Sequence, residues 1–98
     1  MLHAERWLAL KIQDQPKSGN DFQKASLLMS VPKKRVALAV RRNRIKRLIR
    51  EAFRRADRLD PTKIYFFRVM KNPGPVEFKD VKDAMRLLID PSANGASG

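Results

Sequence analysis

The sequence predicts an α/β chain, an α+β sandwich in which helices cover one face of a small mixed sheet, and three observations carry that expectation. Apolar residues alternate with period two over residues 7–12 and again over 25–31. They recur at helical spacing over 45–59 and over 78–89. Between those helical stretches lies IYFFRVM, residues 64–70, the most apolar short run in the chain. The order strand, strand, helix, strand, helix is that of a two-layer domain.

The first strand is WLALKI, with Leu8, Leu10 and Ile12 on one side and Trp7, Ala9 and Lys11 on the other. DQPKSGN, residues 14–20, reads as a loop by its Pro, Gly, Asn and Ser content. The second strand is ASLLMSV, in which Leu27, Met29 and Val31 share a side, and Pro32 closes it by removing a backbone donor. These two strands could form an antiparallel pair across the loop.

Next comes RRNRIKRLIREAFRR, residues 41–55. At 100° per residue, Ile45, Leu48, Ile49, Ala52, Phe53, Ala56 and Leu59 form one apolar stripe, while Asn43, Arg47, Arg50 and Arg54 gather opposite it. No Gly or Pro interrupts the segment between Val40 and Asp60, and Pro61 supplies the expected stop. The run at 64–70 is read as a central strand because it is rich in aromatic and β-branched residues. NPGP, residues 72–75, turns the chain. A last helix over 78–89 places Val81, Ala84, Met85 and Leu88 on one face. The expected domain is residues 1–90, with PSANGASG, 91–98, a disordered tail.

Ninety-eight residues suffice for one modest core. With 22 Lys and Arg against 10 Asp and Glu, the net charge is +12, which points to a polyanionic partner. Residues 33–58 hold twelve of those bases and two of the acids, so the charge is a footprint and not a general solubility device. A merely solvated helix face would mix signs at i, i+4, yet only Glu51 and Asp57 offset nine bases after Val40. Eight of those nine are arginine, whose guanidinium forks pair bidentately with phosphate and stack on bases. Asn43 reads first as a helix cap and second as a base or ribose contact.

Catalytic chemistry finds no support. The lone histidine is His3, cysteine is absent, and no carboxylate cluster has metal-ligand spacing. Asp80 and Asp83 share a helix face near Glu77, which surface solvation explains. The absence of cysteine, of a long apolar run and of a signal-like N-terminus makes the cytoplasm the default address, and the need of so small a domain for the apolar stripe in its core argues against a membrane partner.

The stretch 33–54, KKRVALAVRRNRIKRLIREAFR, resembles the signature of the protein subunit of bacterial ribonuclease P. In that signature a basic strand end leads through Ala-Val to Arg-Asn-Arg, then Lys-Arg, then Arg-Glu. The matching positions are Ala39, Val40, Arg42, Asn43, Arg44, Lys46, Arg47, Arg50 and Glu51. Weaker similarity runs over residues 6–90, through MSVPKK, WLALKI, YFFRVMKNPG and FKDVKDAMRLLI. The resemblance implies a left-handed strand-helix-strand crossover through the basic helix, against the usual right-handed rule. It also implies an accessory role, in which the RNA subunit with its magnesium ions removes the 5′ leader of precursor tRNA. The chain then carries no catalytic residue, metal or cofactor of its own, and it joins ribonuclease P RNA and precursor tRNA as a monomer in a 1:1 particle.

On that reading Lys33, Lys34, Arg42, Asn43, Arg44, Lys46, Arg47, Arg50 and Arg54 bind RNA. Trp7 and Lys71 are candidates for the leader, Trp7 on the open sheet face with one side of the IYFFRVM strand. Packing explains Trp7 at least as well, and a solvated loop explains Lys71 equally. Two departures stand out. The family's basic N-terminal helix has only residues 1–5 in its place, so it is missing or shortened, and the family's Gly-Asn before Ala-Val is Ala37-Leu38, a link that either needs no positive φ or adopts a different turn. The alternative function is an RNA-binding module without processing activity, for instance in ribosome assembly. A DNA-binding helix-turn-helix fits less well, because strands flank the basic helix.

Overall fold

The computed structural model describes residues 2–5, 7–15, 25–57 and 59–90. Most of the loop read at 14–20 and the tail at 91–98 lie outside the described residues. Six elements follow one another: β1 (Leu2–Glu5), β2 (Leu8–Asp14), β3 (Ser26–Ser30), α1 (Ala39–Arg54), β4 (Lys63–Val69) and α2 (Phe78–Ile89). The sheet runs β1-β2-β4-β3. Strand β2 is antiparallel to β1 and to β4, whereas β3 is parallel to β4 across the α1 connection.

The expected pairing of the first two predicted strands does not occur, because β4 lies between them. Burial explains the order. Tyr65, Phe67 and Val69 of β4 are buried on one face, and Ile64 and Phe66 are half-buried on the other, so an edge position would expose this strand most. Strand β3 ends in serines and carries an exposed Leu28, which an edge tolerates. Strand β1 is too short to give a periodicity signal in the sequence.

Both helices cover one face of the sheet. The core joins Leu8, Leu10, Phe67 and Val69 of the sheet to Ile45, Ile49 and Ala52 of α1 and to Val81, Ala84, Met85 and Leu88 of α2. Phe53, half-buried, meets Tyr65 and Phe67 edge to face at centroid separations of 5.6 and 6.3 Å. At the far end of α1, the Arg55 guanidinium lies over the Phe78 ring at 5.3 Å, joining the two helices.

Two expectations for α1 are corrected. Its N-cap is Leu38, in extended conformation at φ −79°, and no side chain caps it, so Asn43 sits within the helix and caps nothing. The negative φ agrees with a link that needs no glycine. The helix also ends at Arg54, short of Pro61. The chain must turn into β4, and Asp60 organises that turn: its carboxylate accepts from the Thr62 amide and hydroxyl at 2.9 and 2.7 Å, and its own amide donates to the Tyr65 hydroxyl. These bonds replace what further helical residues would have made.

Helix α2 matches its expected limits. A capping box starts it, in which the Glu77 side chain accepts from the Asp80 amide and the Asp80 carboxylate from the Glu77 amide. Glu77 and Asp80 are therefore local capping groups. Among the described residues no helix is long and apolar enough to cross a membrane.

Candidate nucleic-acid interface

Burial of Ile45, Ile49 and Ala52 fixes the rotation of α1, and the opposite face carries Asn43, Arg47, Arg50 and Arg54 into solvent. Lys33 and Lys34 are exposed in the turn that precedes the helix, and Lys46 is half-buried on its flank. Among the described residues, the side chains of Lys33, Lys34, Lys46, Arg47 and Arg50 make no ion pair or hydrogen bond. Unpaired cations at this density repel one another, and an anionic ligand relieves that repulsion. Helix dipoles add nothing to the choice, since the basic residues span the whole helix and not one end.

Four other arginines of the segment, Arg42, Arg44, Arg54 and Arg55, are engaged within the fold. Arg42 donates from Nη1 to the carbonyls of Val36 and Ala37 at 3.1 and 2.9 Å, closing the link onto the helix start. Arg44 donates from Nε and Nη2 to the Val76 carbonyl at 3.3 and 3.2 Å, tying α1 to the loop before α2. Each retains its charge, so each can still attract phosphate, but its fork is directed at main-chain oxygen. Arg54 and Arg55 share Glu51, at 2.6 and 2.9 Å. Such exposed pairs contribute little and exchange readily with a stronger anion.

The open face of the sheet presents Lys11, Ile64, Phe66, Arg68 and Leu28, placed together by the registers Lys11↔Phe66 and Leu28↔Phe66. Leu28 is 54% exposed, Lys11 and Arg68 are exposed, and Phe66 is half-buried. This is an aromatic platform between two cations. Trp7 is not part of it. Glu5 pairs with Leu8, so Trp7 belongs to the hairpin connection and not to the pleat, which releases it from strand parity. Its side chain, 8% exposed, packs on the helix side beside Pro73, Pro75 and Ala84. Lys71 is exposed just beyond β4.

Sequence reasoning named the face but not its members Lys11, Phe66 and Arg68. Their signal was present: Ile64, Phe66 and Arg68 alternate with the buried Tyr65, Phe67 and Val69. Knowing which side faced the helices would have selected them.

Salt bridges elsewhere complete the electrostatics. Lys63 pairs with Asp14 across β2 and β4, and that hydrogen bond holds its ammonium above the usual lysine pKa. The Asp60 carboxyl is held below the usual range, first by the Thr62 hydroxyl and then by the Thr62 amide.

A family profile described as Ribonuclease P matches residues 3–91. A ribonuclease P protein component of Bordetella avium is 38% identical over 66 residues, covering 67% of this chain and 55% of the relative. One from Porphyromonas gingivalis is 43% identical over 70 residues, covering 63% and 50%. The chain thus spans about half the length of the curated relatives it matches. The solved structure of a Staphylococcus aureus RNase P protein superposes with a TM-score of 0.74 at 21% identity, over 94% of this chain and 80% of the other. That likeness shows the shared fold.

Proposed function

This chain belongs to the ribonuclease P family, and from that premise we propose that it is the RNA-binding protein subunit of ribonuclease P, assisting a catalytic RNA in removing the 5′ leader from precursor tRNA. The observation that carries the reading is the outward row of unpaired cations on α1, with Arg47 and Arg50 at its centre and Lys33, Lys34 and Lys46 beside it. A face of this kind neutralises several phosphates and releases their counterions, giving tight, salt-sensitive, sequence-tolerant binding. Ribonuclease P RNA is the partner assigned to it. Asn43, exposed among the arginines, is suited to a base edge or ribose.

The sheet face serves the leader. Phe66 offers a ring to an unpaired base, while Lys11 and Arg68 meet the flanking phosphates. Trp7 is withdrawn from this role by its burial, and Lys71 keeps it only as a rim charge. Hydrolysis falls to the RNA and its magnesium ions, and the protein contributes position and charge. The particle is taken as 1:1 and cytoplasmic, where precursor tRNA is processed.

Reconstitution tests the proposal. Ribonuclease P RNA from the same genome is mixed with precursor tRNA at low magnesium, with and without this chain. Faster 5′ cleavage with the protein is expected. Tight RNA binding without any gain in cleavage would favour an RNA-binding module outside tRNA processing.

A further inference from the structure

A crevice of about 200 Å³ lies where the first turns of α1 meet the loop before α2, lined by Arg41, Arg44, Ile45, Gly74, Pro75 and Val76. Its floor is apolar, formed by the buried Ile45 and Val76. Its rim is cationic. We propose that this crevice receives one unpaired nucleotide of the bound RNA, its base on the apolar floor against Pro75 and its phosphate at Arg41; the inference rests on the RNA-binding reading above.

The two halves of the site select that occupant. Phosphate alone needs no apolar floor and is served by the open row of Arg47 and Arg50. An aliphatic side chain needs no guanidinium. An unpaired nucleotide combines a flat apolar face with an anionic group, and arginine both pairs with phosphate and stacks on bases. The volume is below that of drug-sized ligand pockets, which suits a single ring system.

The crevice is built before the ligand arrives. Arg44 fixes one wall by its two bonds to the Val76 carbonyl. Gly74, at φ +77°, turns the loop, and its amide donates to the Asn72 side chain at 2.9 Å. No atom lies within 4 Å of the place a Cβ on Gly74 would take, so the wall opens onto free space. Arg41, unlike Arg42 and Arg44, makes no side-chain hydrogen bond among the described residues. It remains available to a phosphate.

The test is an amide NMR titration of the full chain with two probes, hexauridylate and inorganic tripolyphosphate. Both are expected to shift residues along the outer face of α1, and only hexauridylate to shift Gly74 and Val76. Gly74→Asn, a residue that tolerates positive φ, adds bulk at the crevice wall. It should weaken hexauridylate binding by about tenfold, the equivalent of one lost ring contact, and leave tripolyphosphate binding unchanged. Pro75→Ala, at an exposed position, should reproduce the direction of that loss and guards against a misfolded Gly74 variant. Shifts on α1 without Gly74 or Val76 would overturn the crevice while sparing the RNA reading. Equal shifts at Gly74 and Val76 with both probes would replace the base with a bare phosphate. Failure of both probes to bind would overturn the crevice and the RNA reading together.

Discussion

Arg44 on α1 and Val76 before α2 are joined by two guanidinium hydrogen bonds to one carbonyl, across a sequence separation of 32 residues. The pair makes a residue that is proposed to bind RNA a structural tie as well. A charged group that is exposed on the helix surface and yet bound to the backbone acts on two properties at once, stability and affinity.

Arg44→Ala should therefore lower stability by about 1 kcal/mol, below the usual value for a hydrogen bond to a charged group because solvent screens this exposed guanidinium. Urea denaturation measures it. Arg44→Lys should recover only part of the loss, because an ammonium lacks the fork that reaches one carbonyl from two nitrogens.

Arg47→Ala and Arg50→Ala separate the two properties. Neither side chain has a partner among the described residues, so each variant should unfold within about 0.5 kcal/mol of the parent. RNA affinity should fall, and the dependence of log K on log salt should flatten by about one unit per variant. An Arg50 variant that unfolds would mean that α1 is turned the other way.

Glu51 accepts from both Arg54 and Arg55. Glu51→Ala removes an exposed acid and frees two cations, so RNA binding should tighten and its salt slope steepen, with a stability change of less than about 1 kcal/mol. Filter binding over a salt series reads both.

Phe53→Ala should cost about 3 kcal/mol. The ring is half-buried, which places it at the low end for an aromatic truncation, and two edge-to-face contacts with Tyr65 and Phe67 are lost with it. Ile49→Ala, at a fully buried position, should cost a similar amount, about 2 to 4 kcal/mol.

Asp60 gives a pH signature. Its folded pKa is depressed, so its contribution is present above the unfolded pKa and is lost as pH falls through the folded one. NMR titration should find its carboxyl midpoint below that of an ordinary aspartate. Thr62→Val, which removes the hydroxyl donor, should raise that midpoint.

Legibility in the sequence followed the physics of each segment. Helix α2 matched over its whole length because its apolar residues repeat cleanly and Glu77 and Asp80 cap it locally. The rotation of α1 was equally plain, since Ile45, Ile49 and Ala52 are the residues that bury. Its ends were not, because Asp60 turns the chain through bonds to Thr62 and Tyr65 that periodicity does not encode. The strand order escaped for a related reason: alternation shows which residues share a face, but not that β4 separates β2 from β3. At the interface, charge density located the helix face, whereas the backbone ties of Arg42 and Arg44 depend on the distant approach of Val76 and on the local bend at Val36. Trp7 misled because one residue of a hairpin connection extended the apparent alternation by a position.

The most direct measurement is the rate of precursor-tRNA cleavage by ribonuclease P RNA at low magnesium, comparing the parent chain with the Arg47→Ala/Arg50→Ala double variant at matched folded concentration. Stimulation by the parent and its loss in the folded double variant is the predicted result. Equal stimulation by both proteins would contradict the assignment of the outer face of α1 to RNA.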